Sequence, residues 1–372
     1  MDKSYYIGID MGAGSGAKIG LFSSIDTQND ETFLPAKEYS DSPEKLKDAI
    51  TAKIVSLMQN NQLSIKNIRS IGLASPGIFK TDGTWLLPSN LVFLKGYNLR
   101  LALEEHYDIP VAIENDANAG GLAEWSVMRT ELLYWVFGGG WGGSWVSHDG
   151  DIKHPALDWD GDDHSLHYTN EPGYAVPLAT DILRTLFYSV ESSFSRYKEL
   201  LCEDLKIDQS DLSGPNGNKK TIRSEYILSG PGRCRIFRSI VGDDNFYERF
   251  LNINETDQMS DPAIAGQHIS KLSSMRVEAA IKTDRLFGKC LALATQTLLK
   301  QAAKDGASNA IPICLGGKPS YALPYFGPST QRAIGAMGIM SYMRPSIIDE
   351  RGGNANLTGA AVLAEKAYYK NK

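Results

Sequence analysis

Two segments of this chain place a cluster of glycines between two short strands, and this repeated arrangement restricts the possible folds most. The first segment consists of the strand Tyr5–Asp10, the glycine loop Met11–Gly16 and the strand Ala17–Phe22. The second consists of the strand Leu132–Phe137, the glycine loop Gly138–Gly143 and the strand Ser144–Ser147. Glycine allows the backbone to turn tightly and to direct its N–H groups at one ligand. The pair predicts two related lobes that bring their glycine loops to a shared cleft, although an ordinary glycine-rich hairpin is the alternative for each.

The first glycine loop differs from the two best-known phosphate loops. Gly12, Gly14 and Ala17 fit a dinucleotide-binding pattern, and Gly12 with Lys18 almost fits a P-loop, but both patterns need a helix after the loop. The alternating residues from Ala17 onward favour a strand instead. A phosphate is the natural ligand for such a hairpin. Asp10 at the strand end is suited to a hydrated Mg²⁺, which takes few carboxylates and keeps its waters.

A polar cluster separates a strand from a helix in the segment 111–125. Val111–Ile113 is predicted as a short buried strand and Gly120–Trp125 as the start of a helix. Ligands and catalytic groups gather at such strand ends in open α/β sheets. We therefore expect Asn115, Asp116 and Asn118 to carry chemistry. Helix capping is the alternative for Asn115 or Asp116, and it does not exclude a second role.

The remaining pattern indicates an α/β protein with a mixed sheet. In the first half, the predicted elements are a helix over 43–60 behind Ser42, a strand over 67–73 and a helix over 98–106. In the second half, they are a helical pattern over 178–205, a break over 208–218, two helices within 261–303, a buried strand over 310–315 and a final helix over 356–369. Residues 219–260 give no clear pattern.

Four turns carry groups that could bind a ligand, and plain structural turns are about as compatible with the sequence. They are Ala74–Gly77, Leu87–Leu91, Glu171–Tyr174 and Gly316–Lys318. Glu171 offers a carboxylate and Tyr174 a phenol, both suited to hydroxyl groups.

Composition excludes several classes of protein. With 372 residues and 42% hydrophobic content, the chain can form two lobes with real cores. A net charge of −6 argues against nucleic acid or an acidic membrane as the main partner. We find no secretory signal and no run of 18 apolar residues, so we expect a soluble cytoplasmic protein. The four cysteines are widely spaced, which predicts reduced, mostly buried thiols.

An acidic segment at 154–168 invites a metal hypothesis. Asp158, Asp160 and Asp162 occupy the first three positions of an EF-hand pattern, but Asp163 replaces its glycine and Thr169 its final glutamate. A solvated acidic loop explains the composition better.

Taken together and in order, these motifs resemble the ROK sugar kinases, which are relatives of hexokinase and actin. Gly8–Gly12 resembles the first phosphate motif of that family, Glu114–Ala119 its catalytic segment and Gly138–Gly143 its second phosphate motif. Gly316-Gly317 resembles its adenosine motif and Gly359–Ala361 its final helix. The resemblance spans nearly the whole chain apart from about 190–260, and this concordance is more specific than any single motif.

The resemblance implies a two-lobed, actin-like ATPase fold of ribonuclease H-like type, with an active-site cleft between the lobes. We expect a small α/β lobe of residues 1–125 and 353–372 and a larger α/β lobe of 126–352, with a helical insertion at about 190–260. The implied activity is transfer of phosphate from ATP to the 6-hydroxyl of glucose or a close aldohexose, and we expect a homodimer.

The resemblance also implies a role for each candidate residue. Asp116 would be the general base. The substrate would be bound by Ser75, Pro76, Gly77, Asn90, Asn115, Glu171 and Tyr174. The nucleotide would be bound by Asp10, Gly12, Ala13, Gly14, Lys18, Gly138, Gly139, Gly140, Gly142, Gly316 and Gly317, with Mg²⁺ held near Asp10 through water.

Two departures from the family pattern matter. Tyr174 stands where the family has a histidine, and no zinc-binding cysteines follow it, so we expect no zinc. Gly139 stands where a threonine is usual, which predicts a weaker nucleotide contact. Two other classes stay open: a sugar-responsive regulator without turnover, against which the presence of Asp116 argues, and an actin- or chaperone-like ATPase. The strand at Tyr5 leaves no space before it for the helix-turn-helix of the family's repressors.

Overall fold

The computed structural model describes residues 4–12, 16–39, 41–88, 91–153, 171–242 and 262–370. Within it the chain divides into two compact units. Unit 1 comprises Met1–Tyr134, Ser144–Asp163 and Ser346–Lys372, and unit 2 comprises Trp135–Gly143 and His164–Pro345. The predicted lobe boundaries remain a prediction.

Unit 1 is built on a five-stranded mixed sheet. Its strands are β1 (Tyr5–Met11), β2 (Gly16–Ser24), β3 (Thr27–Pro35), β4 (Ile68–Ser75) and β7 (Val111–Asn115), in the order β3-β2-β1-β4-β7. β1, β4 and β7 are parallel, whereas β2 and β3 run antiparallel to their neighbours. A two-stranded hairpin adds β5 (Ile78–Phe79) and β6 (Trp85–Leu87). The predicted mixed sheet is confirmed.

Four longer helices and one short helix complete unit 1: α1 (Pro43–Asn60), α2 (Leu99–Tyr107), α3 (Asp116–Met128), α11 (Ile347–Glu350) and α12 (Ala355–Lys370). Alternation along β1 assigns its two faces. Ile7 and Ile9 join the main core with α1 and α2, while Tyr6 packs with Leu357 of α12. Three short 3-10 helices lie at Ala36–Glu38, Ile65–Asn67 and Val92–Leu94.

The last helix packs so closely against strand β4 and helix α3 that glycine is required at both contacts. A Cβ at Gly72 in β4 would lie 1.9 Å from the carbonyl oxygen of Ala360, and one at Gly359 would lie 1.8 Å from that of Ala119 in α3. No side chain can occupy that space. Gly72 and Gly359 therefore allow the final helix to pack closely against β4 and α3.

Unit 2 contains most of a four-stranded sheet of order β13-β12-β8-β9. The strands are β8 (Leu132–Phe137), β9 (Trp141–Val146), β12 (Ile313–Gly316) and β13 (Met343–Pro345), and the unit boundary crosses β8 and β9. The strands β10 (Pro177–Ala179) and β11 (Thr221–Arg223) form a separate antiparallel pair. The second glycine turn is shorter than predicted, because β9 already begins at Trp141.

Within the described residues, the helices of unit 2 are α4 (Pro172–Ala175), α5 (Thr180–Tyr188), α6 (Phe194–Leu205), α7 (Gly230–Val241), α8 (Pro262–Ser274), α9 (Glu278–Lys304) and α10 (Leu323–Ala336). Short 3-10 helices lie at Pro215–Gly217, Ser224–Tyr226 and Lys318–Ala322. Phe287 of α9 joins the layers, since its ring centroid lies 6.2 Å from that of Phe137 in β8 and 5.1 Å from that of Phe326 in α10.

One helix prediction is wrong and another is confirmed. The helical pattern over 178–205 contains strand β10 and a break after Tyr188, where Glu191 adopts a left-handed conformation with φ of 57°. Hydrophobic periodicity predicts a helix here because a strand of only three residues is too short to be distinguished from a helix by its pattern. The two helices expected within 261–303 are present. All four cysteines are buried thiols outside any disulfide, as predicted. Within the described ranges, no helix has the length and apolarity needed to cross a membrane.

Candidate functional site

The carboxylate of Asp116 stands at the first residue of α3, immediately after β7. Asn115 caps this helix, because its Oδ1 accepts from the backbone N–H groups of Ala117 at 2.9 Å and Asn118 at 3.3 Å. Its Nδ2 donates to the carbonyl of Gly77 at 3.1 Å. The capping role considered for Asn115 is therefore real, and the same side chain holds the turn after β4.

The surroundings of Asp116 raise the pKa of its carboxyl above that of an ordinary aspartate. The side chain is partly buried, and its Oδ1 accepts from the N–H of Ala117 at 2.9 Å. Burial and, second, the nearby charge of Asp10 raise the pKa of Asp116 to about 6, while hydrogen bonds from backbone N–H groups lower it. A carboxyl with a pKa close to neutral can accept a proton from a substrate and release it again.

Asp10 lies at the end of β1, opposite Lys18 of β2. Its Oδ2 accepts from Asn354 Nδ2 at 2.9 Å. Burial raises the pKa of Asp10, while hydrogen bonds from Asn354 and Asn356 and the charge of Lys18 lower it. The two carboxylates thus influence each other, and both belong to unit 1. A carboxylate at a strand end whose hydrogen-bond partners are the neutral amides of Asn354 and Asn356 fits a hydrated Mg²⁺, which takes one or two carboxylates and keeps several waters.

Asn354 was missed in the sequence. Its Oδ1 accepts from the N–H of Leu357 at 3.1 Å and so supports the first turn of α12, while its amide orients Asp10. An asparagine just before a helix is a capping signal, and Asn354 lies two residues before the predicted start of the final helix. That signal could have identified the residue, but it could not have identified Asp10 as its partner.

The two turns predicted to bind the substrate in unit 1 are only partly described. Ser75 is fully buried, with its hydroxyl 3.4 Å from the carbonyl of Pro76. Gly77 has φ of 122°, and a Cβ there would lie 2.4 Å from the carbonyl oxygen of Leu87, so this turn requires glycine. Asn90 lies outside the described residues.

The first glycine loop is closed by a hydrogen bond from the N–H of Gly12 to the carbonyl of Gly16 at 2.9 Å. Ala13 and Gly14, both predicted to bind the nucleotide, lie outside the described residues, as does the acidic segment with Asp158, Asp160 and Asp162. Lys18 is exposed on β2.

In unit 2, the second glycine turn and the loop after β12 meet at a pocket of about 490 Å³. Gly138 and Gly139 line it on one side and Lys318 on another. The other lining residues are Phe137, Gly230, Pro231, Arg233, Gly266, Gln267, Ser270, Pro319, Tyr321 and Tyr325. The volume is that of a small-molecule site, with aromatic rings, backbone and cationic groups in its wall.

Gly317 holds the loop of this pocket against β8. Its φ is 80°, and a Cβ there would lie 2.0 Å from the carbonyl oxygen of Phe137. Glycine is therefore required. By contrast, a Cβ at Gly138 or Gly139 would meet no atom of the described residues within 4 Å, so that part of the chain leaves space at these two glycines.

Arg233 in the pocket wall is a residue that the sequence did not reveal. It forms a buried ion pair with Asp284, with Nη2 2.7 Å from Oδ1, and its Nη1 donates to the carbonyl of Gly266 at 2.9 Å and to Ser270 at 3.1 Å. These bonds join α7, α8 and α9. The guanidinium is neutralised by protein groups, so its main effect is to fix the pocket wall.

The turn Glu171–Tyr174 lies in the same unit, where Pro172–Ala175 form α4. Arg223 of β11 donates through Nη2 to the Tyr174 hydroxyl at 2.8 Å. Its guanidinium carbon lies 3.7 Å from the centroid of the Tyr174 ring. Glu225 follows on the chain, and burial raises the pKa of its carboxyl while the Arg223 charge lowers it. A Cβ at Gly140 would lie 2.9 Å from Glu225 Oε2.

Within the described ranges, no group of three or more His, Cys, Asp or Glu residues is placed to hold a metal ion. Arg223 contacts Tyr174 of the Glu171–Tyr174 turn, and Glu225 lies two residues further along the chain. Neither residue was predicted, because residues 219–260 show no clear pattern in the sequence.

Comparison with known proteins agrees with this architecture. Residues 6–151 match the model of the ROK family. An N-acetylmannosamine kinase of Escherichia coli is 32% identical over 146 residues, which are 38% of this chain and 47% of the kinase. A xylose repressor of Bacillus subtilis is 29% identical over 124 residues, which are 32% of this chain and 30% of the repressor. The chain spans less than half the length of these relatives.

Among solved structures, a ROK family glucokinase from Streptomyces griseus in complex with glucose and AMPPNP has a TM-score of 0.61 and 17% identity. The alignment covers 98% of this chain and 100% of that protein. The protein thus has the mixed α/β fold of this class, as predicted. The resemblance to the ROK family is confirmed, with the family's sequence pattern in residues 6–151.

Proposed function

We propose that the protein transfers the γ-phosphoryl group of ATP to the 6-hydroxyl of a hexose, glucose or a close aldohexose, with Asp116 as general base. The observation that carries the proposal is the position and environment of Asp116. It follows strand β7 at the start of α3, and its pKa is raised to about 6 by burial and by Asp10. A base with this pKa is mostly ionised at neutral pH and basic enough to accept a hydroxyl proton.

The chemical step asks little of the protein beyond position and charge. Asp116 accepts the proton of the 6-hydroxyl while that oxygen forms a bond to the γ-phosphorus and the bond to ADP breaks. Backbone N–H groups of the glycine turns stabilise phosphate oxygens. Asp10, oriented by Asn354, is the residue that would hold Mg²⁺ through water, and the ion supplies charge neutralisation on the phosphates when bound.

The pocket in unit 2 supports the nucleotide part of the proposal. It joins the Gly138-Gly139 turn to the loop at Gly317, and its wall includes Tyr321, Tyr325 and Lys318. Aromatic rings suit a purine face, and glycine backbone and a lysine suit phosphates. The S. griseus glucokinase of similar fold was solved with AMPPNP.

Hexose binding is assigned to Ser75, Pro76, Gly77, Asn90 and Asn115, and to Glu171 and Tyr174. The side-chain amide of Asn115 already donates a hydrogen bond to the carbonyl of Gly77, so we propose that this residue acts mainly by fixing the turn after β4. Glu171, when ionised, accepts hydrogen bonds from hydroxyls. Relatives include a kinase of N-acetylmannosamine, and an acetamido hexose is therefore included among the sugars to be tested.

The test is a panel of hexoses with MgATP, assayed by ADP release. We expect one or a few aldohexoses to stimulate ADP release far above the sugar-free rate, and the product to carry phosphate on C6. Glu171→Ala should raise KM for that sugar strongly. A rate of ADP release that no sugar increases would favour an actin-like ATPase instead.

A sugar-responsive regulator is the second candidate, because the matched relatives include a xylose repressor. Such a protein binds sugar without turnover. In this case, calorimetry would detect hexose binding, while no sugar would produce ADP above background.

A further inference from the structure

The hydroxyl of Tyr174 accepts a hydrogen bond from Arg223, and this bond determines how the hydroxyl can bond to a ligand. Arg223 Nη2 donates to this hydroxyl at 2.8 Å, and the guanidinium lies over the Tyr174 ring at 3.7 Å. The backbone around the pair is also fixed, since Arg223 pairs with Pro177 across β10 and β11. Ser224 Oγ lies 3.1 Å from the carbonyls of both Pro172 and Gly173.

A guanidinium offers five N–H donors and no acceptor. The oxygen of Tyr174 must therefore be the acceptor in its bond with Arg223. A phenol that accepts in this way still has its own proton to donate. Within the part of the chain that the structure describes, no group accepts that proton.

We propose that Arg223 sets Tyr174 as a hydrogen-bond donor toward the substrate, so that Tyr174 binds a sugar hydroxyl through that hydroxyl's oxygen. Arg223 is in this account a positioning residue that acts through Tyr174. The inference rests on the proposed sugar kinase function and adds to it the polarity of one contact. Glu171, on the same turn, has the opposite polarity, because an ionised carboxylate only accepts.

Two different hydroxyls of the sugar would then form hydrogen bonds of opposite direction, one as acceptor and one as donor. The hydroxyl at Tyr174 must offer a lone pair, and its proton is not needed there. The hydroxyl at Glu171 must offer its proton. Fluorine accepts a hydrogen bond weakly and cannot donate one, so a fluoro sugar separates the two cases and a deoxy sugar loses both.

The experiment compares deoxy and fluoro analogues of the best hexose, at each hydroxyl-bearing carbon except C6, by kcat/KM with saturating MgATP. At the carbon that faces Tyr174, we expect removal of the hydroxyl to cost about tenfold, as for one lost hydrogen bond. The fluoro analogue should recover about threefold of this loss or more. At the carbon that faces Glu171, the fluoro and deoxy analogues should be equally poor.

Variants assign the fluoro advantage to this pair. Tyr174→Phe and Arg223→Met should abolish it, the first by removing the donor and the second by freeing the hydroxyl to rotate. Arg223→Lys, which again donates only, should restore part of it. Tyr188→Phe and Arg184→Gln are matched controls on an exposed surface and should retain the parent pattern.

The outcomes are distinct. A fluoro advantage at one carbon that disappears in Tyr174→Phe supports the inference, even where Arg223→Met fails to fold. A kinase with no such carbon, or with an advantage that survives Tyr174→Phe, overturns it and leaves the proposed function intact. A parent protein that phosphorylates no hexose refutes the proposed function itself.

Discussion

The pH dependence of turnover follows directly from the environment of Asp116. With a pKa of about 6, the carboxyl is about 90% ionised at pH 7 and about 10% ionised at pH 5. Because a general base acts in its ionised form, kcat/KM for the sugar should fall about tenfold for each unit of pH below 6. The direction is set by the raised pKa: an ordinary aspartate would keep the enzyme active down to about pH 4.

The charge of Asp10 should also affect the pH dependence of turnover. Its charge is one cause of the raised pKa of Asp116, after burial. Asp10→Asn removes that charge, so the acid limb of kcat/KM should move to lower pH, even where the height of the curve falls. The apparent pKa belongs to the interacting pair of carboxyls.

The assay is direct quantification of sugar phosphate between pH 4.5 and 8 in overlapping buffers, with the parent, Asp10→Asn and the control Asp48→Asn, an exposed acid on α1. The control should reproduce the parent limb. A profile of the parent that is flat from pH 5 to 7.5, or a limb that moves to higher pH in Asp10→Asn, would show that Asp116 is not the titrating base.

Three further predictions concern the glycine turns and the metal. Gly317→Ala should lower Tm well below that of the control Gly338→Ala, because both have positive φ but only the former directs a Cβ at the Phe137 carbonyl, at 2.0 Å; equal Tm values would show that the loop adapts. Gly139→Thr should leave Tm unchanged, because a Cβ there meets no atom within 4 Å, and the added hydroxyl should lower KM for ATP; a Tm loss of several degrees would contradict this. A zinc-selective chelator followed by restored Mg²⁺ should leave activity intact, whereas a loss reversed by zinc alone would prove the expectation wrong.

The elements that the sequence predicted well are those with local signals. Ser42 and Pro43 mark the start of α1 as expected of a cap and a first-turn proline. The glycine hairpin at Gly12 and the strand before Asp116 were recognisable for the same reason, since turn chemistry and a short apolar run lie within a few residues.

The parts that the sequence did not predict depend on tertiary contacts. Strand β3 is mostly polar, because it lies at the sheet edge with few buried residues, and hydrophobic alternation cannot reveal it. The pocket wall at Arg233 and the Arg223–Tyr174 pair join residues far apart in the chain. No local pattern encodes such pairings, so candidate residues could be listed but not connected.

The role of Asp116 as the base of a hexose kinase can be tested by measuring sugar binding and turnover separately in Asp116→Asn. The side chain keeps its size, and Asn115 still caps α3, so the fold and the sugar Kd by calorimetry should be unchanged. The account predicts that kcat for sugar-stimulated ADP release falls by about 10²- to 10⁴-fold, the usual contribution of a general base. Equal kcat in variant and parent, at equal sugar Kd, would contradict it.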